Sequence, residues 1–451
     1  MTYPETIRYL ESFINYEKIP VYPYKESLKL ERIRDFLSAI GDPQDSLRCI
    51  HIAGSKGKGS TCAFIAYILR EAGHKVGLYT SPHLSDFRER IRILTQNSKL
   101  KTQSSEFEGM ISENELSELI EKLKPAIEEY NKNSKYGPLS FFEVYTALAF
   151  VYFKEKKVDL AVLETGLGGR LDGTNAVNPL VCAITPISFE HTQKLGNTLR
   201  EIATEKAGII KVHSSELVAH SLNVISAPQE EEAMKVIRNR CQEVGAKLCE
   251  VKKDIKYQKR EDGFDIKGRL KEYRDLKIKL LGGHQIVNAA VAVGVIEALR
   301  DCGINIGDEA VREGSYNTIW PGRCEVISKN PLVILDGAQN IASAQALKKS
   351  IKENFNYKKL ILVLGVSKDK DIKGICRELY DLADEIILTQ ADNPRAADPQ
   401  ILAQYFKNKA TYITGNVKEA KALGKRIARK EDLILATGSL FVVGEFRDEK
   451  S

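Results

Sequence analysis

No two of the eight cysteines, Cys49, Cys62, Cys182, Cys241, Cys249, Cys302, Cys324 and Cys376, stand at CxxC spacing. That speaks against a zinc ribbon and against a dithiol redox motif. The opening MTYPETIRYLESF lacks both a basic n-region and an apolar h-region, so neither a secretory address nor an oxidised disulfide framework is expected. Apolar runs are short and broken by polar residues, and none is long enough to span a membrane. A dominant charge sign is lacking too: 67 Lys and Arg against 61 Asp and Glu leave only +6 over 451 residues. So small an excess excludes a nucleic-acid signature but suits an anionic small substrate. These absences point to a cytoplasmic protein with no membrane and no nucleic-acid partner, and its length to two or three domains.

Short β-branched segments alternate with helical patterns along most of the chain, the rhythm of α/β architecture. Leu47–Ala53, Val76–Thr80, Val158–Glu164 and Leu180–Ile187 read as strands, and Glu113–Asn131 and Phe141–Lys154 as helices. Between about 240 and 282, charged residues alternate with Ile, Phe and Leu, which predicts a small antiparallel patch. His284–Cys302 reads as a long Ala/Val-rich helix, and the Gly-, Asp- and Asn-rich stretch Cys302–Pro321 as a linker. Five further strands are expected beyond it, at Leu332–Asp336, Leu360–Leu364, Glu385–Thr389, Ala410–Thr414 and Asp432–Ala436. The expected division is 1–316 for a larger unit with a mostly parallel sheet and 317–451 for a smaller Rossmann-like α/β unit.

The strongest local feature is HIAGSKGKGST, residues 51–61. A strand runs into Gly54, Gly57 and Gly59 and then into a helix, so backbone N–H groups and the helix N-terminus can face a polyphosphate. Lys58 would reach the terminal phosphates, and a hydroxyl just after it would hold Mg²⁺. Gly59 occupies the place of that hydroxyl, so Ser60 or Thr61 must supply it. A plain Gly-rich turn between strand and helix is the simpler alternative.

Three further stretches carry chemistry-bearing residues. Glu143 in SFFEVYTAL is an acid on an apolar helical face, where burial demands a partner or a cation, although a surface Glu at a helix start reads equally well. ETGLGGRLDGTN, residues 164–175, sets Arg170 and Asp172 among four glycines past a strand end, where open α/β sheets bind ligands. His191 and Lys206 lie in FEHTQKLGNTLREIATEKAGIIK, but alone a histidine there is more often structural and a helix lysine solvated.

Taken in order from about Leu47 to Leu440, the stretches HIAGSKGKGST, YTSPHLSDFRERIRI, SFFEVYTALAF, AVLETGLGGRLDGTN, FEHTQKLG, EKAGII, GGHQIVNAAVA, WPGR, DGAQN and NPRA resemble the folylpolyglutamate synthase and dihydrofolate synthase family, a branch of the Mur-type ATP-dependent amide ligases. The resemblance implies a phosphate-loop ATPase domain followed by a Rossmann-like glutamate ligase domain. It implies a reaction in which ATP phosphorylates a pterin-linked carboxylate and L-glutamate attacks the acyl phosphate. Its cofactor expectation is Mg²⁺ at two sites, with ATP as co-substrate. Lys58, Glu143, His191 and Lys206 would carry catalysis. ATP would lie on Gly54, Ser55, Lys56, Gly57, Lys58, Gly59, Ser60 and Thr61, with Asn288 at adenine, Arg323 at the phosphates and Asp336 at ribose. The metals would be held by Ser60, Glu143, His191 and Lys206, the last as a carbamate. Ser81, Pro82, Gln339, Asn340, Lys368 and Ser439 align with substrate positions, and a monomer is the default expectation.

Three positions depart from the family pattern. Lys56 stands where Asn is usual, Glu190 where Asp is usual, and Gln339 where His is usual. The last touches the glutamate side, which leaves open a related ligase that joins another amino acid or acid. A nucleotide-binding homologue without ligase activity is the other alternative.

Overall fold

The computed structural model describes residues 1–19, 21–101, 107–212 and 221–448. Seven strands form the first sheet: β1 (Cys49–Ala53), β2 (Val76–Tyr79), β3 (Ile91–Leu94), β4 (Leu160–Glu164), β5 (Pro179–Ile184), β6 (Asn223–Ser226) and β7 (Lys247–Glu250). Their order is β3-β2-β4-β1-β5-β6-β7, and every neighbouring pair is parallel except β2 with β3. The central strands β1, β4 and β5 are buried along their whole length, which explains their continuous apolar sequences. Helices Lys58–Glu71 and Gly283–Leu299 are packed into the core on one face, and Glu113–Asn133 and Phe141–Glu155 into the core on the other.

The antiparallel patch is narrower than the 240–282 pattern predicts. It consists of β8 (Lys256–Arg260), β9 (Gly263–Lys267) and β10 (Glu272–Leu276), in the order β10-β9-β8. The residues before it continue the parallel sheet as a helix, Glu231–Val244, and the edge strand β7. The expected linker also differs. Asp308–Asn317 is a helix whose Gly314 lies so close to the phosphate-loop helix that a Cβ there would sit 2.3 Å from the Ile68 Cα. A glycine chosen for close packing had read as a glycine chosen for a loop.

The second sheet has six strands rather than five: β11 (Glu325–Lys329), β12 (Leu332–Leu335), β13 (Leu360–Leu364), β14 (Glu385–Leu388), β15 (Ala410–Ile413) and β16 (Leu433–Thr437). The order is β11-β12-β16-β13-β14-β15, parallel except for the β11–β12 pair. The molecule is therefore a two-domain α/β protein with a mostly parallel sheet and a small antiparallel part. Among the described residues, no helix is long and apolar enough to cross a membrane. All eight cysteines are free thiols.

Candidate active site between the two domains

The phosphate loop leaves the C-terminal end of β1 and enters helix Lys58–Glu71 through Gly57, which has φ +82°. A side chain at Gly57 would also collide with Asn288, whose Oδ1 would lie 2.3 Å from an added Cβ. Gly57 is thus required both by conformation and by the approach of Asn288. Ser55 and Lys56 donate their backbone N–H groups to the Pro186 carbonyl at 3.0 and 3.1 Å, which ties the loop to the segment leading to His191. The N–H groups at the start of the helix have no intrahelical partner. Thr61 Oγ1 is buried with no partner, and Ser60 is 3% exposed.

β4 lies beside β1 with Glu164 in register with Ile52, so the last residue of β4 reaches the foot of the phosphate loop. Lys58 Nζ stands 3.8 Å from Glu164 Oε1, and the Ser81 backbone N–H donates to Glu164 Oε2 at 3.3 Å. Burial pushes the Glu164 carboxyl up against the opposing pull of Lys58. Glu164 was not singled out from the sequence, although it opens the glycine-rich stretch 164–175. Its signal is an acid ending an apolar strand next to a phosphate-loop strand, the position that holds Mg²⁺ in other phosphate-loop proteins.

Glu143 is placed differently from expectation. Both of its oxygens accept from Arg32 Nε, at 2.9 and 3.0 Å, and Oε2 also accepts from the Ser140 N–H and hydroxyl at 2.8 and 2.6 Å. It is the third residue of a capping box that starts helix Phe141–Glu155. A carboxylate neutralised by a buried arginine and spent on a helix cap has little charge left for a metal ion. It lines the interdomain cavity while paired with Arg32, and Glu164 rather than Glu143 stands beside Lys58 at the phosphate loop.

Lys206, on helix Leu199–Ala207, is 4% exposed and donates to the Gly54 carbonyl at 2.8 Å. Burial, with Lys58 and Lys56 nearby, pushes its amine down to about 7. Lys56 pairs with Glu190 at 3.1 Å, so two of the three departures from the family pattern meet in space. Glu190 is held down at about 2, against its burial, by Lys56 and its other cationic neighbours. His191 follows in the left-handed region at φ 53° and faces the main cavity.

That cavity, of about 280 Å³, lies between the domains. Ser81, Pro82, His191 and Asp172 come to it from the first domain and Gln339 and Lys370 from the second. A smaller cavity gathers Gly59, Ser81, Pro82, Glu164, Trp320 and Arg323, so Arg323 is brought to the phosphate loop. Asp336 stands near Arg323 and His284, its oxygens accepting from the Cys324 and Ala338 N–H groups at 2.9 Å each. Asn340 caps helix Ile341–Asn354 and Ser439 caps helix Leu440–Arg447. Ser439 opens on a small pocket with Ser367 and Asn393. Lys368 is exposed and absent from the main cavity's lining, where Lys370 stands instead. Arg170 is paired with Glu205 at 2.8 Å.

Among the described residues, no three His, Cys, Asp or Glu side chains converge as a ready-made metal cage. Glu164 at the end of β4 and a hydroxyl from Ser60 or Thr61 at the start of the phosphate-loop helix would offer oxygen donors only, the kind Mg²⁺ accepts, because that ion keeps waters and phosphate oxygens in its shell.

The family model of the Mur ligase middle domain matches residues 126–296, and that of the Mur ligase glutamate ligase domain matches residues 322–440. The dihydrofolate synthase/folylpolyglutamate synthase of Bacillus subtilis is 35% identical over 432 residues, which cover 93% of this chain and 94% of that protein. The Escherichia coli protein of the same name is 30% identical, over 92% of this chain and 90% of its own. A structure of Mycobacterium tuberculosis folylpolyglutamate synthase complexed with ADP and AMPPCP superposes with a TM-score of 0.83 at 30% identity, covering 94% of this chain and 96% of that one. Escherichia coli FolC in complex with DHPP and ADP gives 0.82 at 28% identity, over 99% and 96% of the two chains.

Proposed function

The chain belongs to the dihydrofolate synthase/folylpolyglutamate synthase family of Mur-type ligases, and we propose that it uses ATP to join L-glutamate to a pterin-carrying carboxylic acid, dihydropteroate or a reduced folate. The observation that carries this reading is the meeting of Lys58, Glu164 and Arg323 at one phosphate loop that opens toward an interdomain cavity. We place the division of labour at residues 1–316, which hold the nucleotide, and 317–451, which bring the amino acid. Each chain carries a complete site, so a monomer suffices. The free thiols suit the cytoplasm.

The chemistry requires two anions, a carboxylate and a triphosphate, to approach each other in a site with little water. Lys58, Lys56 and the N–H groups opening helix Lys58–Glu71 answer the phosphate charge on one side, and Arg323 answers it from the other domain. The acceptor carboxylate attacks the γ-phosphorus, and ADP leaves. The amine of glutamate then attacks the acyl carbon, the C–O bond to phosphate breaks, and the amine gives up its proton. Because an acyl phosphate hydrolyses readily, closure of the second domain over the cavity protects it from water.

Ser60, Thr61 and Glu164 would hold one Mg²⁺, and His191 with Lys206 a second; their chemistry is to neutralise charge on the phosphoryl oxygens. Lys206 suits this role only as a carbamate, and an amine pushed down to about 7 has a substantial neutral fraction near neutral pH that is free to add CO₂. Asn288, packed on Gly57, and Asp336, beside Arg323, are the groups proposed for adenine and ribose. Ser81, Pro82 and Gln339 are proposed to face the acceptor and the amino acid, with Ser439 at the small pocket beyond.

The test is ADP release with product mass, using ATP, L-glutamate and either 7,8-dihydropteroate or tetrahydrofolate. Glutamate-dependent ADP release and a mass gain of one glutamyl residue are expected. Gln339 in the cavity favours checking a panel of amino acids in the same assay. A preference for any other amino acid would overturn the glutamate assignment.

A further inference from the structure

The main cavity is lined by two chemically different sets of side chains. One set is aromatic and aliphatic: Tyr16, Tyr22, Leu28, Phe142, Leu167 and Leu171. The other is cationic: Lys194, Lys370 and Arg395. Arg395 Nη2 lies 2.7 Å from Asp369 Oδ2, Lys370 Nζ lies 3.5 Å from the same oxygen, and Arg395 Nη1 donates to the Glu17 carbonyl across the domain boundary at 2.9 Å. Lys194 has no carboxylate partner among the described residues; its Nζ rests 4.0 Å from the centroid of the Tyr22 ring. Three cations thus share one carboxylate.

The cavity's other carboxylates do not restore the balance. Glu17 is held by Arg90 at 2.5 and 2.9 Å, and Glu143 by Arg32. Asp172 accepts from the Leu167 and Thr174 N–H groups at 2.8 and 3.0 Å, and burial pushes its carboxyl up. Two positive charges therefore await an anion.

We propose that Lys194, with Lys370 and Arg395, forms a carboxylate subsite for the glutamyl chain of an acceptor that already carries glutamate. This rests on the ligase reading above and extends it to substrate choice. Dihydropteroate has one carboxylate, which must reach the phosphate loop to react, and it leaves the cluster unfilled. Each γ-linked glutamyl unit adds a free α-carboxylate, the charge the cluster lacks. Lys194 stands over Tyr22, part of the aromatic wall, so the cation and the surface suited to a flat ring share one cavity. That places it with the acceptor rather than with the incoming amino acid.

The experiment compares kcat/KM for 7,8-dihydropteroate with that for tetrahydrofolate triglutamate in the full-length wild type, Lys194→Met, Lys194→Glu and Lys194→Arg. The ratio of triglutamate to dihydropteroate efficiency is expected to fall about fivefold in Lys194→Met, the loss of one partly screened charge pair. It should fall further in Lys194→Glu and recover in Lys194→Arg. Lys370→Met provides the same readout from the second domain should a Lys194 variant fail to fold. An unchanged ratio overturns the proposal. So does a raised KM for L-glutamate with dihydropteroate as acceptor, which would assign the cluster to the incoming amino acid. A wild type that uses dihydropteroate but no glutamylated folate overturns it too, with the ligase reading intact. A wild type that turns over neither acceptor overturns the ligase reading itself.

Discussion

Glu143→Gln and Glu164→Gln are expected to fail in opposite ways, because the two carboxylates do different work. Glu143 and Arg32 have side chains that are each 6% exposed and share two short contacts. Replacing Glu143 by Gln leaves a buried guanidinium facing a neutral amide, and breaking one side of such a pair costs about 3–5 kcal/mol. The cost should appear as a lower urea midpoint in the first unfolding transition followed by circular dichroism. An Arg32→Met, Glu143→Met double variant should lose less than the two single losses added together, since neither charge is then left alone. The kcat of folded Glu143→Gln should stay within about tenfold of wild type, because the carboxylate lacks the free charge for phosphate chemistry. Glu164→Gln keeps an acceptor for the Ser81 N–H and removes a carboxylate already strained by burial, so its stability should change by no more than about 1 kcal/mol. Its kcat should fall at least about 100-fold. The reasoning is refuted if Glu143→Gln abolishes turnover at unchanged stability while Glu164→Gln stays active.

Lys206→Ala should lose turnover by at least about 100-fold, with partial recovery on adding a short carboxylic acid or bicarbonate if the native group is a carbamate; full activity of the variant would remove Lys206 from the site. The only tryptophan of the chain, Trp320, lies against Gly59, where an added Cβ would stand 2.9 Å from its ring. A non-hydrolysable ATP analogue should therefore shift the intrinsic fluorescence, and Trp320→Phe should abolish the signal; calorimetric binding with silent fluorescence would contradict that placement. His51 is fully buried in β1, with Nε2 2.8 Å from Thr174 Oγ1 and Nδ1 without a partner, and burial pushes its imidazole down to about 3. The unfolded chain then binds the extra proton below about pH 6.5, so this stability is complete above that pH and is lost as pH falls. By pH 4.5 the loss from this residue should reach about 2–3 kcal/mol in urea unfolding. A His51→Gln variant with an equally steep acid decline would contradict it.

Local features were legible in the sequence and long-range ones were not. The phosphate loop is written in glycine spacing over a few residues, and its strand and helix follow as expected. The choice between Glu143 and Glu164 depends on Arg32, 111 residues away, and on the β1–β4 register; no local pattern carries either. β11 was missed because an antiparallel edge strand with exposed Val326 and Ile327 has no apolar run to announce it. β3 was missed because Arg92, buried as it is, breaks the apolar pattern in the middle of Ile91–Leu94. Lys56 and Glu190 looked like separate departures and prove to be one ion pair. Lys368 and Lys370 lie in one short charged run, GVSKDKD, and only the fold distinguishes the one that faces the cavity.

The central claim, transfer of phosphate to the acceptor carboxylate before the amide forms, is tested most directly with ¹⁸O in that carboxylate. With labelled 7,8-dihydropteroate or tetrahydrofolate, ATP and L-glutamate, the account predicts one ¹⁸O in each inorganic phosphate released, matched one to one by glutamylated product. Unlabelled phosphate, or label appearing in AMP, would contradict it.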